Sequence, residues 1–159
     1  MTLIRLLGVA LLCTAGFGAG YFRAAVLARR LELLINFRRV MASVLEQMLF
    51  FKTELKYIYS SLKKDPELAF LAEIMADEQR GAQALDSLSA LTERDKQLIR
   101  EFSRGIGMGD LGSQKRRAEM IDRELLGQIE TAKEELRIKR RLYVSLGASL
   151  GLCVGIILV

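Results

Sequence analysis

The sequence predicts an all-α protein: a cytoplasmic helical bundle, residues 23–141, whose two long helices continue into membrane-spanning helices at residues 3–22 and 142–159. Three observations predict it. Both ends carry long uncharged apolar runs, the middle repeats its apolar residues at steps of three and four, and the charges sort by segment. Residues 1–52 carry a net charge of +5, residues 53–130 a net charge of −3 and residues 131–159 a net charge of +3. The basic excess therefore flanks the most apolar parts of the chain, as in membrane spans with charged collars, and it does not form a nucleic-acid-binding face. The chain has no histidine, which removes a His general base, a His-containing metal site and a Ser/His/Asp triad.

The first element is apolar. Leu6–Phe22 is uncharged over 17 residues and Leu142–Val159 over 18, and as helices they reach about 25 Å and about 27 Å, each just enough for a bilayer. Arg5 can snorkel at one end of the first run, and Tyr21 suits the headgroup layer at the other. A cleaved signal peptide is the competing reading, with possible cleavage sites within Ala15-Gly16-Phe17-Gly18-Ala19. The cluster Arg23, Arg29, Arg30, Arg38 and Arg39 resists translocation and favours a retained anchor. A lipoprotein signal fails because Leu12 precedes Cys13. The same arginines, with Lys133, Arg137, Lys139, Arg140 and Arg141 before the second run, place the middle segment in the cytoplasm. Cys13 and Cys153 fall within the runs as packing residues, without a disulfide.

In the middle, Leu27, Leu31, Leu34, Phe37, Met41, Leu45 and Met48 share one helical face, so the first helix is expected to continue to about Phe51. Thr53 then reads as an N-cap for a helix over Glu54–Lys64. Asp65-Pro66 opens a third helix to about Gln79, because Pro suits a first helical turn. Arg80-Gly81 is expected to close it, ahead of a short helix near Ala82–Ala90. Thr92 caps Glu93–Arg104, with acids early and Arg late as the helix dipole prefers. The loop from Gly105 to Gly112 precedes a last long helix from about Ser113, whose Ala118, Ile121, Leu125, Ile129, Ala132 and Leu136 form a second stripe. The two stripes are expected to pack as an antiparallel pair.

Candidate functional residues are few. Gly107-Met108-Gly109-Asp110-Leu111-Gly112 spells Gly-x-Gly-x-x-Gly, but that signature holds a pyrophosphate only between a strand and a helix, and here a helix precedes it. A helix–helix turn is expected instead, with glycines for positive φ and Asp110 or Ser113 as cap. No spacing of the acidic residues selects a metal site or an acid/base pair. Glu130 and Glu134, facing Arg137 and Lys133, are solvated partners on a helix. No cofactor is expected. Gly16 and Gly20 in the first run, and Gly147, Gly151 and Gly155 in the second, stand four apart and form small-residue grooves for helix packing, within the chain or against another membrane helix.

The order of segments, the run Phe102…Gly107-x-x-Asp110…Gln114, Ala132, and the closing Arg140-Arg141-Leu142-Tyr143-Val144-Ser145-Leu146-Gly147 resemble the stage III sporulation protein AB family of endospore-forming bacteria. Phe50-x-x-Thr53-x-Leu55 adds a weaker match. Phe51 and Ser103 stand where the family usually has glycine, Glu54 where it has proline, and the middle is shorter and lacks Trp. The resemblance implies a cytoplasmic domain similar to the F platform protein of type II secretion. It also implies a place in the complex between mother cell and forespore, in the outer forespore membrane on the mother-cell side. The implied partners are a cytoplasmic secretion-type ATPase and other membrane subunits. Thr53, Leu55, Gly107, Asp110 and Gln114 are then either partner contacts or structural turn residues. A non-catalytic platform that couples the ATPase to the membrane, with homo-oligomers possible, is the leading expectation. A membrane-anchored coiled-coil signalling protein is the alternative.

Overall fold

A computed structural model describes residues 2–51 and 54–158; side chains at the two apolar ends fall largely outside the described set. Six helices follow in order among the described residues: α1 (Thr2–Phe51), α2 (Leu55–Leu62), α3 (Ala69–Ala76), α4 (Glu78–Ser87), α5 (Glu93–Gly105) and α6 (Leu111–Leu158). They divide into two compact units, Arg30–Glu130 and the pair of segments Met1–Arg29 and Thr131–Val159.

In the unit Arg30–Glu130, the part of α1 after Arg30 supplies the centre of the core. Leu34, Phe37, Val40 and Val44 are fully buried, at the spacing of three and four that places them on one face. Leu125 and Ile129 of α6 and Leu98, Ile99 and Phe102 of α5 complete that core. The rings of Phe37 and Phe102 meet edge to face, with centroids 5.9 Å apart. The direction of α6 against α1 is set by polar contacts at the margin of this core. Arg30 Nη2 donates to Gln128 Oε1 at 3.2 Å, and Arg38 grips Asp122 through Nε at 2.6 Å and Nη2 at 3.2 Å. As numbering rises from 30 to 38 on one helix it falls from 128 to 122 on the other, so within this unit the two stripes run antiparallel as expected.

The shorter helices differ from the sequence expectation at their boundaries. Helix α2 begins at Leu55, and Glu54 occupies the N-cap position without a side-chain bond. The Thr53 cap expected there lies outside the described residues. Asp65-Pro66 opens a turn and not a helix: Asp65 Oδ1 accepts from Glu67 N at 3.0 Å, and α3 starts only at Ala69. The next boundary falls at Asp77, whose carboxylate accepts from the backbone N–H of Gln79 and Arg80 at 3.1 Å, and Gly81 lies inside α4. The expected break at Arg80-Gly81 is therefore corrected, because the cap settles where the helix starts and Gly81 has a different task, a close approach to α3. Thr92 caps α5 in a reciprocal box with Asp95, as its position predicts.

In the other unit, α1 up to Arg29 and α6 from Thr131 are helical backbone. Tyr21, Phe22, Leu142 and Leu146 are exposed, and Lys139 pairs with Glu135 one turn away at 3.4 Å. Among the described residues no helix is long and apolar enough to cross a membrane. Gly16, Gly20, Gly147, Gly151 and Gly155 fall within α1 and α6, and the helix packing expected of them lies outside what the structure describes.

Tyr59 of α2 is buried with a hydroxyl that has no hydrogen-bond partner among the described residues, and burial pushes its phenol up to about 12. A buried unpaired hydroxyl lowers stability, so Tyr59→Phe is expected to leave the fold unchanged or to stabilise it by up to about 1 kcal/mol. A denaturant midpoint for the two chains checks this, and a clear loss in the Phe variant would mean that the hydroxyl is in fact bonded.

Candidate functional site

Two of the segments singled out in the sequence meet. The turn between α5 and α6 lies against the start of α2, where a side chain built on Gly107 would stand 3.6 Å from Leu55 Cδ1. The turn is held by its own residues. Gly107 and Gly109 have φ of 82° and 83°, a region L side chains avoid, which is why the chain can reverse within so few residues. Gln114, on the first turn of α6, is buried beneath them. Its Oε1 accepts from Gly107 N and its Nε2 donates to Gly109 O, both at 3.1 Å, so one side chain ties together the two glycines that shape the loop.

Of the two caps the sequence allows, Asp110 holds the position. It immediately precedes α6, and its Oδ2 accepts from Ser113 N at 3.0 Å, while the Ser113 hydroxyl donates to Oδ1. The Ser113 hydroxyl and then its backbone N–H hold the Asp110 carboxyl below the usual carboxylate range. Asp110→Ala is expected to lower the thermal midpoint by a few degrees and to fray the first turn of α6, since two donors lose their acceptor. Hydrogen exchange at the Ser113 amide reads the second effect directly.

Beside this turn, α5 and α6 leave a groove of about 480 Å³ whose lining includes Met108 at the turn and Met120 on α6. Met108 and Met120 are 69% and 63% exposed. Leu111, Tyr57, Phe50 and Phe51 are also exposed on the neighbouring segments. Most of the unit's large exposed apolar residues lie on these segments, Phe70 and Leu126 being the others, and such clustering is the usual mark of a surface that another molecule covers.

Sequence reasoning missed the most buried polar group. Arg30 and Asp95 are 5% and 0% exposed, and the guanidinium meets the carboxylate side-on, Nε to Oδ2 at 2.8 Å and Nη2 to Oδ1 at 3.2 Å. Burial drives the Asp95 carboxyl up, but the Arg30 guanidinium, the Thr92 backbone N–H and the Thr92 hydroxyl outweigh it, and the net shift is downward. Arg30 belongs to the cluster assigned to a membrane collar, as do Arg38 and Arg39. All three are engaged within the unit Arg30–Glu130, with Asp95, Asp122 and Glu67. Their position in sequence gave no sign of this, because the partners stand 28 to 84 residues away.

Among the described residues no group of three or more His, Cys, Asp or Glu side chains could hold a metal ion. The Gly-x-Gly-x-x-Gly string is the helix–helix turn described above. The model of the family described as stage III sporulation protein AB matches residues 5–159. No curated protein and no solved structure matches the chain. A match over nearly the whole length, with Gly107, Asp110 and Gln114 forming one bonded turn, settles the assignment: this chain belongs to the stage III sporulation protein AB family and has a role connected with sporulation.

Proposed function

We propose that the protein is a non-catalytic membrane platform of the sporulation machinery, anchored at both ends and presenting its helical unit to a cytoplasmic secretion-type ATPase and to other membrane subunits. The observation that carries the reading is the placement of the two uncharged runs. The runs that begin at Leu6 and at Leu142 lie toward the far ends of α1 (Thr2–Phe51) and α6 (Leu111–Leu158), the two helices that also build the core of the central unit. A helix that is both anchor and core element can pass a push on the domain to the bilayer, whereas a flexible linker would absorb it. The partners come from the family's likeness to the F platform protein of type II secretion. The absence of histidine and of any selected acid/base spacing supports a role by contact and not by chemistry.

Topology and partnership test this together. Reporter fusions at residue 85 and at the C-terminus should report cytoplasmic and extracytoplasmic positions respectively. The full chain in mild detergent should retain the ATPase on a column. An extracytoplasmic signal from residue 85 would overturn the anchoring, and failure to retain the ATPase would overturn the platform role.

A further inference from the structure

We propose that the groove between the end of α5 and the first turns of α6 is a docking site for an acidic amphipathic helix of another protein. The floor is made by Gly105 and the buried Ile121, and the lips carry Met108 and Met120, more than half exposed. Unbranched thioether side chains adapt to whatever apolar shape is laid on them, so a pair of exposed methionines beside a buried apolar floor suits an anchor side chain from a partner. About 480 Å³ accommodates the one or two anchors that a helix presents from a single face.

Charge selects the partner. Away from the groove, Arg94 pairs with Glu124, Arg100 with Asp86 and Lys115 with Glu119, whereas the groove itself is lined by two arginines, Arg104 and Arg117, and one carboxylate, Glu101. The Arg117 guanidinium lies over Gly105, where a Cβ would come within 2.5 Å of Nη1. Glu101, which also lines the groove, already accepts from Gln97 Nε2 at 2.9 Å. The lining therefore carries one positive charge in excess, two arginines against a single carboxylate. A helix with apolar anchors and carboxylates beside them complements that excess. Gly105 is part of the fit, because a side chain there would displace Arg117 from the groove.

The test uses the full chain in neutral detergent and two fluorescent helical peptides of about 14 residues, a length at which an isolated helix begins to form. Both carry leucines spaced for one face; one has glutamates beside them and the other lysines. The acidic peptide should bind more tightly than its basic twin by at least about tenfold at low salt, with the preference shrinking as salt rises. Arg117→Glu should reverse the order of the two, Met120→Glu should weaken the acidic peptide by a similar factor, and Arg80→Glu on α4 should change neither. Arg117 is exposed, so the variants should melt with the wild type; if Arg117→Glu does not, Arg117→Gln must still abolish the preference. Equal binding of the two peptides, or a preference that survives at Arg117→Gln, overturns the proposal. So does self-association through Met120 without peptide binding, which would make a second copy the occupant. So does binding of the groove to phosphatidylglycerol-containing vesicles in place of peptide. Because the probe is a peptide and not the ATPase, failure of the platform reading and failure of this one are separate results.

Discussion

Replacing Asp95 with alanine is expected to cost about 3–5 kcal/mol, the range found when one member of a buried ion pair is removed. That is a large part of the 5–15 kcal/mol of a typical domain. The carboxylate is fully buried and ties two elements together, accepting from Arg30 of α1 through two hydrogen bonds and from the Thr92 N–H at 2.9 Å at the start of its own helix, where Asp95 N in turn donates to Thr92 Oγ1 at 3.2 Å. Alanine takes the carboxylate away from the buried Arg30 guanidinium, which also donates to Gln128, and it removes half of the capping box. Denaturant unfolding of the full chain measures the loss. Arg30→Met should recover part of it when added to Asp95→Ala, because two apolar side chains leave no orphan charge, whereas Arg30→Met alone strands the carboxylate. A double variant no more stable than Asp95→Ala would show that the arginine's charge is not what makes the single change costly.

The same pair gives the domain an acid limit. The folded pKa of Asp95 lies below its unfolded value of about 3.8, so its contribution is fully present above that value and disappears as pH falls through the lower folded value. Stability should hold from neutral pH down to about 4 and fall below it. In Asp95→Ala that acid-side slope should be shallower, because one carboxylate with a depressed pKa is gone.

Much of this architecture can be read from periodicity. Leu34, Phe37 and Met41, like Ala118, Ile121, Leu125 and Ile129, sit in the sequence at helical spacing, and all are buried. The Thr92 cap is legible for the same reason: it is local, and its partner is three residues away. What periodicity cannot reach is pairing across the fold. An arginine near an apolar run has the same appearance in sequence whether it faces lipid headgroups or, as Arg30 does, an aspartate on another helix. The site follows the same division. Gly107, Asp110 and Gln114 are visible as a glycine-rich turn with a nearby cap, but the two hydrogen bonds of the Gln114 side chain to the backbone on either side of Met108 need coordinates. The groove beside it was not legible, since its two walls come from separate helices and its one signal, Met120, is a single exposed residue.

Gly81 shows how the strongest local signal can point to the wrong event, and it carries the second large effect. A glycine after Arg80 reads as a helix end, yet it lies inside α4 with its N–H bonded to Asp77 O at 2.8 Å. A Cβ at this position would stand 1.9 Å from the Ile74 carbonyl oxygen and 2.9 Å from its carbon. The hydrogen that glycine presents there points at the oxygen, a Cα–H···O contact that lets α4 start directly against the end of α3. The obstacle is backbone and not the end of a flexible side chain, so Gly81→Ala can be accommodated only by moving one helix off the other. The expected cost is about 3 kcal/mol, the upper part of the range for overpacking, even though alanine is the better helix former. Gly127 on α6 supplies the opposite case, because a Cβ there meets nothing within 4 Å. Gly127→Ala should raise stability by about 0.5–1 kcal/mol through helix propensity alone. Two identical substitutions in two helices are thus expected to move the denaturant midpoint in opposite directions. If Gly81→Ala instead stabilised the chain as Gly127→Ala does, α3 and α4 would not be in contact at Ile74, and the short-helix layer of the fold would have to be redrawn.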